Sequence, residues 1–237
     1  LAALAVALLW VLCTGEGARI ATGRLGGDFA EFYGAGRIVA DGNMPGLYDK
    51  DVQREAQRDL MPDSGPGRDN TFVPYAYPPQ VALAYGLIAR LPYRAAFIVQ
   101  TAFSAACLLL AAWLLRASSP PSSRQVLAML AAMVFYYPVL RALLGGQNTP
   151  LAILLVAVAF AASWRGRDWL AGLALGLLLY KPQYGLTLLG LQALGGRWRT
   201  LLAGLGAGAI IFLADTLLFG PTWPMRWYAY ARWVIDT

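Results

Sequence analysis

Ala95–Leu115 contains no charged residue, and Leu201–Phe219 contains only Asp215. Crossing the hydrocarbon core of a bilayer takes about 20 apolar residues as a helix, and both runs meet that requirement. Other apolar stretches, some short and some broken, accompany them: Leu1–Cys13, Pro78–Leu91, Val126–Leu144 with Pro138 inside it, Pro150–Trp164, and Trp169–Leu194 with Lys181-Pro182-Gln183 inside it. The expected fold is therefore all-α, a polytopic transmembrane bundle of about seven hydrophobic helices.

Composition then narrows the chemistry. Hydrophobic residues make up 58% of the chain and charged residues 14%, against about 25% charged in soluble domains. The chain has no histidine, which excludes a Ser-His-Asp triad, a histidine general base and a histidine zinc site. The two cysteines, Cys13 and Cys107, both lie in apolar runs, so neither a disulfide framework nor a thiolate metal site is expected. No metal ligand set and no cofactor site are read from the sequence. The net charge is +6, but the basic residues stand singly or in pairs between apolar runs. That pattern fits membrane-flanking charges rather than nucleic-acid binding.

The acids are concentrated. Ten of the thirteen Asp and Glu residues fall between Glu16 and Asp69. They sit in a long polar segment, residues 14–76, expected as an extracytoplasmic loop. Turn signals mark it at Asp41-Gly42-Asn43, Met44-Pro45-Gly46 and Pro62-Asp63-Ser64-Gly65-Pro66-Gly67. Two short helical patterns interrupt it. Phe29, Phe32, Tyr33 and Arg37 recur at helical spacing, and Asp51–Leu60 forms a more charged candidate. Both fit amphipathic helices lying on a membrane surface. Residues 77–222 are expected as the helical bundle, and 223–237, rich in Trp and Tyr, as an interfacial segment.

The whole chain is read as one transmembrane domain and as a piece of a longer one. Leu1–Cys13 looks like the end of a membrane helix whose start lies upstream, since it has neither a basic leader nor a small-residue cleavage site. Positive-inside counting places Arg197-Trp198-Arg199 in the cytoplasm and the acidic loop outside. Arg165 and Arg167 then fall on the wrong side, so one element turns back within the membrane, either Pro78–Leu91 or the Lys181 region.

Five features carry candidate chemistry. Asp28 precedes a helical pattern with Glu31 three residues on, which reads either as an N-cap with a capping box or as a carboxylate base beside Tyr33 and its aromatic face. Lysine occurs only at Lys50 and Lys181, and Lys181 sits inside an apolar run before Pro182. It either snorkels to the interface or lines a cavity as a cation for a phosphate. Gly145-Gly146-Gln147-Asn148 is either a turn between helices or a donor of amide groups to sugar hydroxyls. Tyr77, in Tyr75-Ala76-Tyr77-Pro78-Pro79, is either a belt residue or a substrate contact, and Asp215 is either interfacial or functional.

Taken in order, Asp28-Phe29 with Tyr33, Leu47-Tyr48-Asp49, Tyr77-Pro78-Pro79, Gly146-Gln147-Asn148, Lys181-Pro182 and Arg197-Trp198-Arg199 resemble glycosyltransferase family 87. Its members are polytopic enzymes of the GT-C superfamily, typified by polyprenol-phosphate-mannose-dependent α-1,2-mannosyltransferases. The resemblance implies that Asp28 is the catalytic base, in the first extracytoplasmic loop. It also implies an inverting transfer of a hexose, mannose in the typical case, from a polyprenyl-phosphate donor to a lipid or glycan acceptor. Glu31, Tyr33, Tyr77, Gln147, Asn148 and Lys181 are the substrate-binding candidates, with Lys181 facing the leaving phosphate. The Lys-poor, Ala-, Arg- and Leu-rich composition suggests a GC-rich bacterial source, and a multi-pass location in the inner or plasma membrane is expected. The rival reading is a secondary transporter with a broken-helix site, but no internal repeat supports it.

Overall fold

The computed structural model describes residues 26–60, 72–118 and 137–236. Leu1–Cys13, the Pro62–Gly67 turn, Arg124 and most of the Val126–Leu144 run lie outside the described residues. No strand occurs among those described. The α-helices are α1 (Phe29–Ala40), α2 (Lys50–Ala56), α3 (Pro79–Gly86), α4 (Tyr93–Ser118), α5 (Tyr137–Leu144), α6 (Thr149–Trp164), α7 (Asp168–Leu177), α8 (Pro182–Leu194), α9 (Trp198–Phe219) and α10 (Trp223–Asp236). Short 3-10 turns occupy Met44–Gly46, Arg58–Leu60 and Leu178–Tyr180.

Among the described residues, two helices have the length and apolarity of a membrane span: Tyr93–Arg116 within α4, and α9, each with a mean hydropathy of 2.0. At about 1.5 Å per residue, the 22 residues of α9 reach about 33 Å, enough for the hydrocarbon core. The α6 helix and the Asp168–Tyr180 segment are apolar but shorter.

The described residues divide into two compact units. The first, called here the aromatic unit, comprises residues 26–60, 72–100, 144–146 and 212–236. Its centre is α1, which forms because aromatic and small residues alternate at helical spacing with no proline. This helix does not lie on a surface as an amphipathic helix would. All its residues except Arg37 and Ala40 are buried, because the small residues Ala30, Gly34, Ala35 and Gly36 let neighbours close around the faces that the aromatics leave. Phe29 packs against Tyr33, Tyr85, Tyr93 and Phe97, while Phe32 stacks on Tyr85 with ring centres 4.9 Å apart. Each such pair adds about 0.5–1.5 kcal/mol beyond burial alone.

The segment from Val73 to Pro78 has no regular structure, so its backbone needs other partners. Side chains supply them. The Gln53 side chain donates to the carbonyls of Leu47 (2.7 Å) and Tyr75 (3.3 Å), and accepts from the Tyr75 N–H (2.8 Å) and the Tyr230 hydroxyl (2.7 Å). Gln57 donates to the Val73 carbonyl and accepts from its N–H, both at 2.9 Å. The match is geometric. Residues four apart on a helix rise about 6 Å, close to the spacing of residues two apart on an extended chain. Tyr48 and Trp227 donate to the carbonyls of Tyr77 and Ala76, and Tyr75 to that of Pro78. Asp59 forms a two-pronged ion pair with Arg37 at 2.5 and 2.9 Å.

The second unit, the small-residue unit, comprises residues 101–118, 137–143 and 147–211. Here helices meet through glycine and alanine. Gly172 and Gly176 on α7 face Gly204 and Ala207 on α9, so that a Cβ added at Gly172 would strike the Thr200 carbonyl and one at Gly176 the Gly204 carbonyl at 2.6 Å. Gly172 with Gly176, and Gly204 with Gly208, are spaced four apart, the pattern that lets membrane helices approach closely. Outward positions carry Phe103, Trp113, Phe160, Leu186, Leu205 and Ile210, all exposed. Small residues inside and large apolar ones outside suit a lipid solvent.

Candidate functional site

In the aromatic unit, Gly26 and Gly27 both take positive φ just before α1. The Phe29 N–H donates to the carbonyls of Gly26 (2.6 Å) and Gly145 (3.0 Å). The carbonyl of Gly145 is brought there by Gly146, whose φ of +65° favours glycine and where a Cβ would lie 2.5 Å from that of Phe29. Asp28 therefore sits on a fixed turn. It occupies the N-cap position, yet its backbone is helical and its side chain makes no capping hydrogen bond. The capping box read from the sequence is not formed.

Asp28 is half-buried, whereas Glu31 and Tyr33 are buried one turn further on. The Tyr33 hydroxyl donates to the Leu91 carbonyl at 2.7 Å, and its ring carries the Arg37 guanidinium 4.9 Å above its centre. Tyr77 lies against Phe32, with ring centres 5.0 Å apart. Burial pushes the phenols of Tyr48, Tyr75 and Tyr230 above their ordinary range, so these three remain neutral donors.

In the small-residue unit the polar candidates gather where apolar helices begin. Lys181 breaks the chain between the 3-10 turn at Leu178–Tyr180 and α8, with Pro182 opening the new helix. It is only 6% exposed, and its ammonium donates to the Thr149 hydroxyl at 3.0 Å. Thr149 opens α6, with Pro150 beside it. The Tyr180 hydroxyl donates to the Asn148 carbonyl at 2.8 Å, tying the two helix starts together. Both side-chain atoms of Asn148 are buried without a hydrogen-bond partner among the described residues. A buried orphan amide costs about 1–3 kcal/mol, and a ligand atom would satisfy it. Helix N-termini favour negative charge, so a cation, two helix starts and an unsatisfied amide form one anion-accepting corner.

Asp28, Glu31, Tyr33 and Tyr77 thus belong to the aromatic unit, and Gln147, Asn148 and Lys181 to the other. Lys181 is buried at the break, at the N-terminal end of α8. Asp215 is 1% exposed. Sequence reading missed Thr149 and Tyr180, whose only signal was adjacency to Asn148 and Lys181. It also missed Gln53, which sits on a charged helix and carried no signal of burial.

Compared with known families, residues 75–237 match the model of glycosyltransferase family 87. That span includes Tyr77, Gln147, Asn148 and Lys181 and does not include Asp28, Glu31 or Tyr33. Comparisons with curated proteins and with solved structures returned no match.

Proposed function

The chain belongs to glycosyltransferase family 87, and from that premise we propose that it moves a hexose, mannose first among the candidates, from a polyprenyl-phosphate donor to a lipid or glycan acceptor on the extracytoplasmic face of a bacterial membrane. Membership makes it a glycosyltransferase with a sugar donor and an acceptor, and disfavours the transporter reading. Its two apolar spans point to a membrane protein. In the proposed reaction Asp28 takes the proton of the acceptor hydroxyl. The oxygen attacks the anomeric carbon, the bond from that carbon to the phosphate oxygen breaks, and its electron pair leaves on the phosphate. Configuration inverts because attack comes from the face opposite the leaving group.

The observation that carries this reading is the corner at Lys181. A buried ammonium beside two helix starts and the orphan amide of Asn148 supports the reading, because such a group would stabilise charge that develops on a leaving phosphate. Gln147, Glu31, Tyr33 and Tyr77 are assigned to sugar and acceptor contacts, and no protein-bound cofactor is called for.

The test uses membranes holding the protein and radiolabelled polyprenyl-phosphate mannose, with the labelled product identified. Asp28→Asn is expected to lower transfer by about 10²–10⁴-fold, the usual contribution of a general base, with insertion and folding unchanged. Near-normal transfer by Asp28→Asn overturns the assignment. Lys181→Ala is expected both to lower turnover and to raise the donor concentration needed for half-maximal rate, and an unchanged donor response removes Lys181 from the phosphate site.

A further inference from the structure

Within the aromatic unit, α10 and the chain entering α2 enclose a cleft of about 370 Å³, within the size range of small-molecule sites. Its walls include Tyr48, Asp49, Lys50, Arg226, Tyr230 and Trp233. None of these residues takes part in the chemistry described above. We propose that this cleft binds a neutral sugar ring, and that the ring belongs to the acceptor. Identifying the sugar as acceptor rests on the glycosyltransferase reading, whereas the binding chemistry does not.

A pyranose presents an apolar face of C–H bonds and a rim of hydroxyls, so its site needs ring surface and fixed polar groups together. The ring surface is a corner. Tyr230 lies 5.3 Å from Trp233 at 59° and 6.1 Å from Tyr48 at 47°. The hydroxyls of both tyrosines are already committed, to Gln53 and to the Tyr77 carbonyl, so their contribution to the cleft is aromatic. Phe72 lies parallel to Trp233 at 6.4 Å and steadies the indole. The polar rim is Asp49 and Lys50. Asp49 Oδ1 accepts the N–H groups of Asp51 and Val52 at 2.9 and 3.1 Å, which fixes the carboxylate and leaves Oδ2 for a ligand hydroxyl. The Lys50 ammonium rests 3.9 Å over the Trp233 ring. A sugar taking that face displaces it, and the freed ammonium becomes a donor to the ring hydroxyls.

The same groups disfavour an anion. The terminal nitrogens of Arg226 are used on the carbonyls of Pro45 (2.9 Å) and Phe219 (2.6 Å), and its Nε is buried. The Arg226 charge remains, but with its terminal nitrogens on carbonyls the exposed donor an anion would meet is the Lys50 ammonium, and that stands beside the Asp49 carboxylate.

Saturation-transfer NMR and titration calorimetry on the full chain in nanodiscs test the cleft. The soluble probes are mannotriose, maltotriose and cellotriose. The membrane probe is phosphatidylcholine vesicles with and without a diglucosyl diacylglycerol, offered to the same protein. At least one sugar probe is expected to bind, with the strongest saturation on C–H protons of one ring face. Binding to soluble sugar assigns a free glycan, and binding to the glycolipid vesicles alone assigns a lipid headgroup. Trp233→Ala is expected to weaken binding by about fivefold to tenfold, the value of a lost aromatic contact. Asp49→Asn keeps a good N-cap residue and is expected to weaken binding severalfold, which keeps the test open if Trp233→Ala misfolds. Absence of binding by every sugar probe overturns the proposal, as does binding indifferent to both substitutions or displaced by inorganic phosphate. Asp28→Asn protein is expected to bind sugar as the wild type does. Sugar binding with normal Asp28→Asn transfer overturns the catalytic assignment alone, and no sugar binding with transfer lost in Asp28→Asn overturns the cleft alone.

Discussion

In the aromatic unit, side chains hold backbone: Gln53, Gln57, Tyr48, Tyr75 and Trp227 between them satisfy the irregular segment from Val73 to Pro78. In the small-residue unit, backbone meets backbone, with α7 lying against α9 at Gly172, Gly176 and Gly204. Each pattern has a solvent that suits it. Where water surrounds a fold, irregular chain can be tied down by polar side chains. In lipid, helices satisfy their own backbone and associate by close approach. The candidate chemistry divides the same way, with a carboxylate at the head of a pinned helix and a cation at a break between apolar ones.

The largest expected effect separates those two roles. Asp28→Asn should lower turnover with the donor requirement unchanged, and Lys181→Ala should shift the donor requirement. Steady-state kinetics with varied donor checks the split, and identical kinetic signatures for both variants would erase it. Next, Gly172→Val drives a methyl group into the Thr200 carbonyl. Overpacking of this kind costs about 1–3 kcal/mol, and backbone that cannot yield puts the cost near the upper end. Thermal unfolding in detergent should fall, while protease sensitivity of the residues around Tyr75 stays the same.

Gln53→Ala makes the converse cut. It leaves the Tyr75 N–H and the Tyr230 hydroxyl without their acceptor, a penalty of about 1–3 kcal/mol per buried group before water enters. Limited proteolysis should open the Val73–Pro78 segment, with the contacts of α7 and α9 unaffected. Opening of both units together would show that the contrast has no energetic meaning.

The smallest effect comes from the Arg37–Asp59 pair. Its Asp59 hydrogen bonds hold the Arg37 guanidinium above its ordinary range, and Arg37 in turn holds the Asp59 carboxyl below its own. A carboxyl with a depressed folded value contributes stability above the ordinary Asp pKa of about 3.9, and the contribution is lost as pH falls below that. Asp59 is exposed, so Asp59→Asn should cost no more than about 1 kcal/mol at neutral pH. Thermal shifts of wild type and variant should converge in acid.

The local breaks were legible in the sequence. Gly145-Gly146 ends a helix, Lys181-Pro182 interrupts one, and the Phe29 periodicity makes another. The two long apolar runs form the two helices, among the described residues, that have the length and composition of a span. What could not be read were facts of partnership. Asp51–Leu60 reads as a charged surface helix, yet Gln53 and Gln57 on it are buried, since an amide looks equally at home in water or against a backbone. The N-cap at Asp28 was a sound local expectation, and a backbone turn pinned by Gly145 displaced it. The cleft depends on residues near 50 and near 230, and no local window contains both.

The bond from Tyr230 to Gln53 joins residues 177 apart in the chain. At about 5–20 residues per second, a ribosome takes roughly 10–35 s to travel from one to the other. Throughout that interval Gln53 has emerged without one of its final partners, and the aromatic unit lacks α10. The aromatic unit therefore reaches its full set of hydrogen bonds only after residues 223–236 have been made, when the Tyr230 hydroxyl meets Gln53.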